Sequence, residues 1–524
     1  MEILFLLLLP LLAAPLFDGS DDDDPAEESG DDTLEDPNPS FPGEDDDEED
    51  APVQALTRQL IHDLYDEGAE VPEGDVRYYD GPQAQEGRIS GGGTVFAGPG
   101  NDIAFAEGQL EVYGGSGEDT LFGLDQAQVY GGAGHDAVGA AGQAKAWGGS
   151  GDDDVEAYDQ GLARAGSGDD TLIGGANSGP DIEGYQPAGE ARLYGGPGND
   201  LGFANDHAQL YGGLDDDTLI GFEEATLHGG YGQDMIGLND STQGYGGAGA
   251  DTLMAYDDAL AHGDSGEDVL AAFDTAEAHG GLGQDSLTGS GGAQIYGDRG
   301  ADHLYANEDA TAHGGAWRDD IDVSDRAAGF GESGDDTLTG SDEAQVYGGE
   351  GADSIRVEDS ATAQGGAGAD RLIGYDSAQI YGGSGDDTLT VLGDAQAYGG
   401  AGSDSYRVDT GSLMDASEYA EFPDWLFTED LGVVEEFEGG SDRLEIDSQG
   451  MDGSQVTRVG IAPAATSGYV DVVIDLEAPD GDAFSRTITV ALDDTAPLSM
   501  DDVWIRDRDG AFTPASALAG SAAA

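Results

Sequence analysis

Eighteen aspartates recur at a fixed interval along this chain: Asp102, Asp119, Asp136, Asp153, Asp170, Asp200, Asp217, Asp234, Asp251, Asp268, Asp285, Asp302, Asp319, Asp336, Asp353, Asp370, Asp387 and Asp404. Every step is 17 residues except the one from Asp170 to Asp200, which is 30. Each Asp sits in a close variant of the same phrase, "YGGSGDDTL" from Tyr381, "YGGSGEDTL" from Tyr113 and "YGGAGADTL" from Tyr245. If the repeats stack as neighbouring strands, equivalent carboxylates lie about 4.8 Å apart. Two such charges repel by roughly 3–4 kcal/mol at an effective dielectric of about 20, and by roughly 1 kcal/mol in water. Hard cations relieve that repulsion. Calcium takes six to eight oxygens, carboxylate and main-chain carbonyl among them, whereas magnesium demands strict octahedral geometry and sheds water reluctantly.

The elements that must position these carboxylates follow from the unit itself. Counted from its bulky first residue, the unit reads one large side chain, then Gly-Gly-x-Gly-x-Asp, then eight more. Position five is Gly in 16 of the 18 copies, with Asp215 and Trp317 as the exceptions. Such a bend needs positive φ, which Gly adopts freely. Positions eight to eleven predict a short strand with nine and eleven inward. Positions twelve to fourteen predict a turn, and fifteen to one a return strand with fifteen and seventeen inward. One repeat is then one coil of a flattened helix of parallel strands. Each coil has too thin a core to stand alone, so it must stack on its neighbours. The expected fold is all-β, a parallel β-roll or β-solenoid of 17-residue coils over 96–408. The 13 extra residues of the long step, near 176–190, form a loop thrown out from the stack. Eighteen coils at about 4.8 Å predict a stiff rod roughly 86 Å long.

Composition narrows the partners. The 524 residues carry 110 Asp and Glu against 17 Lys and Arg, a formal net charge of -93. Such a chain repels nucleic acid and anionic membrane surfaces and attracts cations. With no Cys it has neither disulfides nor thiolate metal sites. Residues 1–17 are apolar but short and Pro-interrupted. They lack the basic start of a usual secretory signal, so an export signal and an unprocessed apolar start both stay open, and no stable membrane span is expected. Residues 18–54 read as a disordered acidic linker. In 55–95, a capping segment, Leu56, Leu60, Ile61 and Leu64 have helical spacing. From 409 to 524 the alternation in "GYVDVVIDLE" and "RTITVALDD" predicts an antiparallel β cap.

The "GGxGxDTL" units resemble the calcium-binding nonapeptide repeats of the RTX, or haemolysin-type, family of secreted bacterial proteins. The resemblance implies a β-roll, calcium between successive bends, export by a type I system, and a ligand role for each of the eighteen Asp side chains with neighbouring Gly-loop carbonyls. The order of "VVEEFEGGSDRLEI", "VDVVIDLE", "TITVAL" and "MDDVWI" likewise resembles the region that follows the repeats in type I substrates. One departure matters. The usual roll has two nonapeptides per 18-residue coil and calcium along both edges, whereas this chain has one such bend per 17. At the other corner, position thirteen is Asp or Glu in twelve of sixteen complete units and Gly in the rest (Gly108, Gly142, Gly291, Gly393). A tight turn permits that exchange and a ligand position does not. One row of calcium is therefore expected, about 16 ions if the long step breaks the row.

Other motifs weigh less. His228, His262, His279 and His313 occupy position one, where other copies have mostly Tyr, and read as members of an outer ladder of flat side chains. "GDSG" at Gly263 falls in phase with the bend and is a repeat variant without a triad. "RDRDG" at Arg506 lacks the first Asp and final Glu of an EF-hand loop. The expected function is an exported calcium-binding structural or adhesion protein with a cell-surface or matrix partner and no catalysis of its own. Two alternatives stay open: a secreted enzyme using the roll as a folding module, and a glycan-binding adhesin using the aromatic ladder.

Overall fold

The computed structural model describes residues 68–71, 76–78, 86–175, 190–409, 430–438, 441–447, 455–464, 469–477, 483–492, 498–506 and 512–516. The expected helix at Leu56–Leu64, the apolar start, the acidic linker and residues 176–189 of the expected loop lie outside the described residues.

Two parallel sheets face each other across a thin core. In one, six-residue strands such as Gln379–Ser384 and Gln396–Ala401 pair in register, Tyr381 opposite Tyr398. In the other, four-residue strands such as Thr388–Val391 pair with the next coil, Leu389 opposite Tyr406. Strand alternation sends positions nine, eleven, fifteen and seventeen inward. In one coil these are Leu389, Val391, Ala395 and Ala397, all fully buried. Large aliphatics from one sheet meet alanines from the other, which sets the narrow gap between sheets.

The stack runs through the long step without a break. Arg164 pairs with Tyr194 and Leu172 with Gly202, as equivalent residues do 17 apart elsewhere. The extra residues leave from the corner after Thr171–Gly175 and return before Arg192–Pro197, so both strands keep their partners.

The roll also extends past both expected ends. Val76–Tyr78 pairs parallel with Thr94–Pro99, and Gly68–Val71 with Glu86–Gly91, which pairs in turn with Ile103–Gly108. Strands thus occupy part of the segment read as a separate cap. They were hidden because the place equivalent to Asp102 holds Gln85 and the Gly bend is missing. At the other end, Asp430–Phe437 and Arg443–Asp447 each add a parallel strand before any antiparallel pairing begins. The expected antiparallel strands then follow as the meander Gln455–Pro463, Tyr469–Glu477 and Ala483–Leu492.

Tyr406 ties the last coil to this cap. Its fully buried ring lies 5.7 Å from that of Phe437. Its hydroxyl accepts from the Gly399 N–H at 2.6 Å and donates to the Glu435 carbonyl at 3.2 Å. Tyr406→Phe keeps the packing but strands both main-chain groups. Its expected cost is about 1–3 kcal/mol, read as earlier hydrogen exchange at the C-terminal coils with the middle of the roll unchanged. Uniform loss of protection along the whole roll would contradict this.

Candidate metal centre

All eighteen repeat aspartates lie under their Gly bends, no more than 2% exposed. Their carboxylates form a directional ladder. The main-chain N–H of Asp102 donates to Oδ1 of Asp119 at 2.8 Å, that of Asp119 to Asp136 at 2.8 Å, and so on to Asp387 and Asp404 at 3.0 Å. The long step is one more rung, Asp170 N–H to Asp200 Oδ1 at 2.9 Å.

The second oxygen is different. From Asp119 through Asp404, Oδ2 is buried with no hydrogen-bond partner. A buried unpaired carboxylate oxygen is costly, and a whole column of them is more so. Eleven of these oxygens have a main-chain acceptor of the next coil close by. A Cβ placed on Gly382 would touch both Oδ2 of Asp387 and the carbonyl oxygen of Gly399. The same pairing recurs at Gly348 with Asp353 and the Gly365 carbonyl. Acceptors converging without a donor make a cradle for a cation, and oxygen donors suit a hard one. No three His, Asp or Glu side chains cluster closely enough to hold a metal among the described residues. This agrees with a site that takes one carboxylate per bend and fills its remaining positions with carbonyls.

Electrostatics points the same way. Burial pushes the Asp217 carboxyl up to about 8, and those of Asp153, Asp200, Asp268, Asp302 and Asp336 up to about 7. The N–H that each accepts pulls the other way, and neighbouring ladder carboxylates add to the rise. Asp119, Asp170, Asp234, Asp319, Asp353, Asp387 and Asp404 rise to about 6. Without positive charge part of the column, Asp217 foremost, holds protons at neutral pH.

Sequence reading missed one further rung. Asp442 is buried, and its Oδ1 accepts from the Asp404 N–H at 3.1 Å. Its Oδ2, unlike the others, is satisfied by the Glu438 N–H at 2.7 Å. It therefore completes the last bend as an internal cap. The signal was present in "EGGSDRL", a bend shortened by two residues and set 38 beyond Asp404.

The opposite corner behaves as a turn. All twelve acids at position thirteen have positive φ, from 53° at Asp206 to 61° at Asp125 and Glu223, and the four Gly alternatives lie between 69° and 83°. Asp tolerates this left-handed conformation better than most residues. The irregular bends also sort out. Asp298 and Glu332 turn away from the ladder, accepting from His279 Nδ1 at 3.2 Å and His313 Nδ1 at 2.9 Å. His279 also meets Glu277 through Nε2 at 2.8 Å, so these hydrogen bonds hold its imidazole pKa up against burial. The position-one rings stack face to face, 4.4 Å apart for Tyr130 and Trp147 and 5.0 Å for His262 and His279. Their faces stack on one another through most of the ladder, which Arg164 and Gln364 interrupt.

The RTX calcium-binding nonapeptide repeat, the haemolysin-type repeat, matches the chain in four copies over 162–178 and 357–389. No curated protein matches it significantly. The fold and the Asp ladder define a calcium-binding repeat solenoid, and the matched stretches carry the haemolysin-type RTX repeat. Among the described residues, no helix is long and apolar enough to cross a membrane.

Proposed function

We propose that this is an exported structural or adhesion rod whose coils assemble as calcium enters a single row beneath the Gly bends. The observation that carries this reading is the column of buried, unpartnered Oδ2 atoms, eleven of them with a carbonyl of the next coil close by. In the cation-poor cytosol the repulsive column keeps the repeats unfolded. Outside, calcium at about 10⁻⁴–10⁻³ M suits extracellular modules, and binding then becomes folding free energy. When bound, calcium supplies positive charge and coordination positions. The chain supplies Oδ2, the carbonyls and a main-chain N–H that fixes each carboxylate. Catalysis has no part in this reading: 409–524 contains no His.

Because the ladder crosses the long step, it has seventeen intervals between its eighteen Asp, where a broken row would have left sixteen. Equilibrium dialysis against calcium should give about seventeen ions, with magnesium failing to replace them. A stoichiometry near twice that would mean a second row at the position-thirteen corner. Fewer than about five would sink the single-row model. Asp251→Asn keeps an acceptor for the Asp234 N–H, which Asp251 Oδ1 now takes at 2.8 Å, but removes charge from two intervals. It should cost about two ions and leave distant coils intact, because solenoid coupling is local. Binding unchanged in number and affinity would place the ligands elsewhere.

A further inference from the structure

Basic residues are scarce and unevenly spread. Eight of the 17 Lys and Arg lie from Arg356 onward, in the last third of the chain. On the four-residue sheet, positions eight and ten point outward. No copy before Tyr347 carries Lys or Arg at either position. The last coils do so repeatedly: Arg356, then Arg371 one coil on, then Arg407 after an uncharged coil with Thr388 and Thr390, then Arg443 opposite Ser405. Consecutive coils lie one strand spacing apart, so the four guanidiniums follow the roll axis over about 19 Å.

These side chains are braced more than neutralised. Arg356 lies over the Tyr375 ring at 4.6 Å, and Arg443 over Trp504 at 4.2 Å. Arg407 and Arg443 share the one carboxylate of Glu445, each at 3.2 Å, which leaves a net positive charge. Arg356 reaches Glu358 only at 3.7 Å, and Arg371 is exposed with no ion pair among the described residues. Stacking on aromatics fixes a guanidinium plane while leaving its N–H edge available, and that edge matches carboxylate or sulfate oxygens.

We propose that this arginine strip on the C-terminal coils is a docking surface for an extended anionic polysaccharide. The surface is long, open and linear, which suits a polymer threaded along the axis. It is also a local reversal of sign on a chain of net charge -93. Long-range repulsion from the remaining coils then holds the polymer to this end of the roll. The inference stands apart from the calcium reading, since the strip lies on a sheet face and not under the Gly bends.

The test uses the full chain in saturating calcium, with fluorescein-labelled dextran sulfate as probe and binding read by anisotropy. Arg356→Gln with Arg371→Gln should weaken binding roughly tenfold and lower the slope of log K against log salt by about two, as loss of two ionic contacts requires. Arg299→Gln, outside the strip, should change neither. Circular dichroism and the bound calcium count keep a folding defect apart from a binding defect. Neutral dextran should not bind. Equal loss from Arg299→Gln, affinity untouched in the double variant (a calcium bridge to the polymer), or tighter binding of polyglutamate or DNA would each overturn the proposal.

Discussion

Stripped of calcium by a chelator at pH 8, the repeats should show no β-structure by circular dichroism, and acidifying the same sample toward pH 5 should restore it. The sign follows from the ladder. Thirteen of its carboxyls are raised to about 6 to 8 in the folded stack, for instance about 8 at Asp217 and about 7 at Asp268. An unfolded Asp titrates near about 3.9. A group whose folded pKa is raised lends stability that is complete below its unfolded pKa and is lost as pH rises through its folded pKa. The cation-free roll should therefore gain stability downward from pH 8 toward about 4, the reverse of ordinary acid denaturation. Exposed Asp and Glu stay ionised until about pH 4–5, so a transition centred between about 6 and 7 belongs to the ladder, whereas one confined below about 4.5 reflects general charge neutralisation. Calcium does at neutral pH what protons do in acid, so its uptake by the acid-folded roll near pH 6 should release protons, and its uptake by the unfolded repeats at pH 8.5 almost none. A chelated sample fully β at pH 8, melting cooperatively, would defeat both expectations.

Gly385→Ala should cut the roll in two. Gly385 holds φ at +130°, and an added Cβ would overlap the carbonyl oxygen of Gly368 in the coil before. Backbone strain alone amounts to about 1–3 kcal/mol, and the overlap forces the bend open. Because coils contact only their neighbours, the variant should melt in two steps, a long block before the lesion and a short block tied to the cap, with about two calcium ions lost. A single transition lowered by a few degrees would argue for longer-range coupling. The native chain carries milder lesions at the same position. Asp215 and Trp317 stand there with φ of 75° and 100°. Trp317 is also 73% exposed, so Trp317→Gly should tighten calcium uptake in its coil and raise the melting temperature.

Much of this architecture is legible in the sequence because one period repeats eighteen times. Position-specific exposure, inward alternation and the bend follow from period and glycine chemistry, and the buried pattern of Leu389, Val391, Ala395 and Ala397 matches that reading residue by residue. What escapes is what the period cannot encode. Coils before Phe96 keep the strand spacing without the Gly-Asp bend, so nothing in their composition marks them. The 30-residue step looks like a break in one dimension, yet three-dimensional pairing of Arg164 with Tyr194 makes it a detour. Asp442 hides for the same reason, set 38 residues away with a shortened bend. Position thirteen was read correctly as a turn because Gly and Asp share a tolerance for left-handed backbone, a property of residue type and not of spacing. The arginine strip needed the fold, since Arg356, Arg371, Arg407 and Arg443 meet only once coils are stacked.

The hydrogen bond that locks each carboxylate always runs one way along the chain. The N–H of one coil is completed by the Asp of the coil after it, and the last, that of Asp404, is completed by Asp442 of the cap. A growing roll therefore has unequal ends. An end facing the C-terminus carries an unfilled donor until the next coil arrives, whereas an end facing the N-terminus offers a finished carboxylate to whatever lands on it. Assembly that starts at the cap and zips backward meets a completed template at every step. A chain whose C-terminal end meets calcium first therefore finds a completed template for each successive coil.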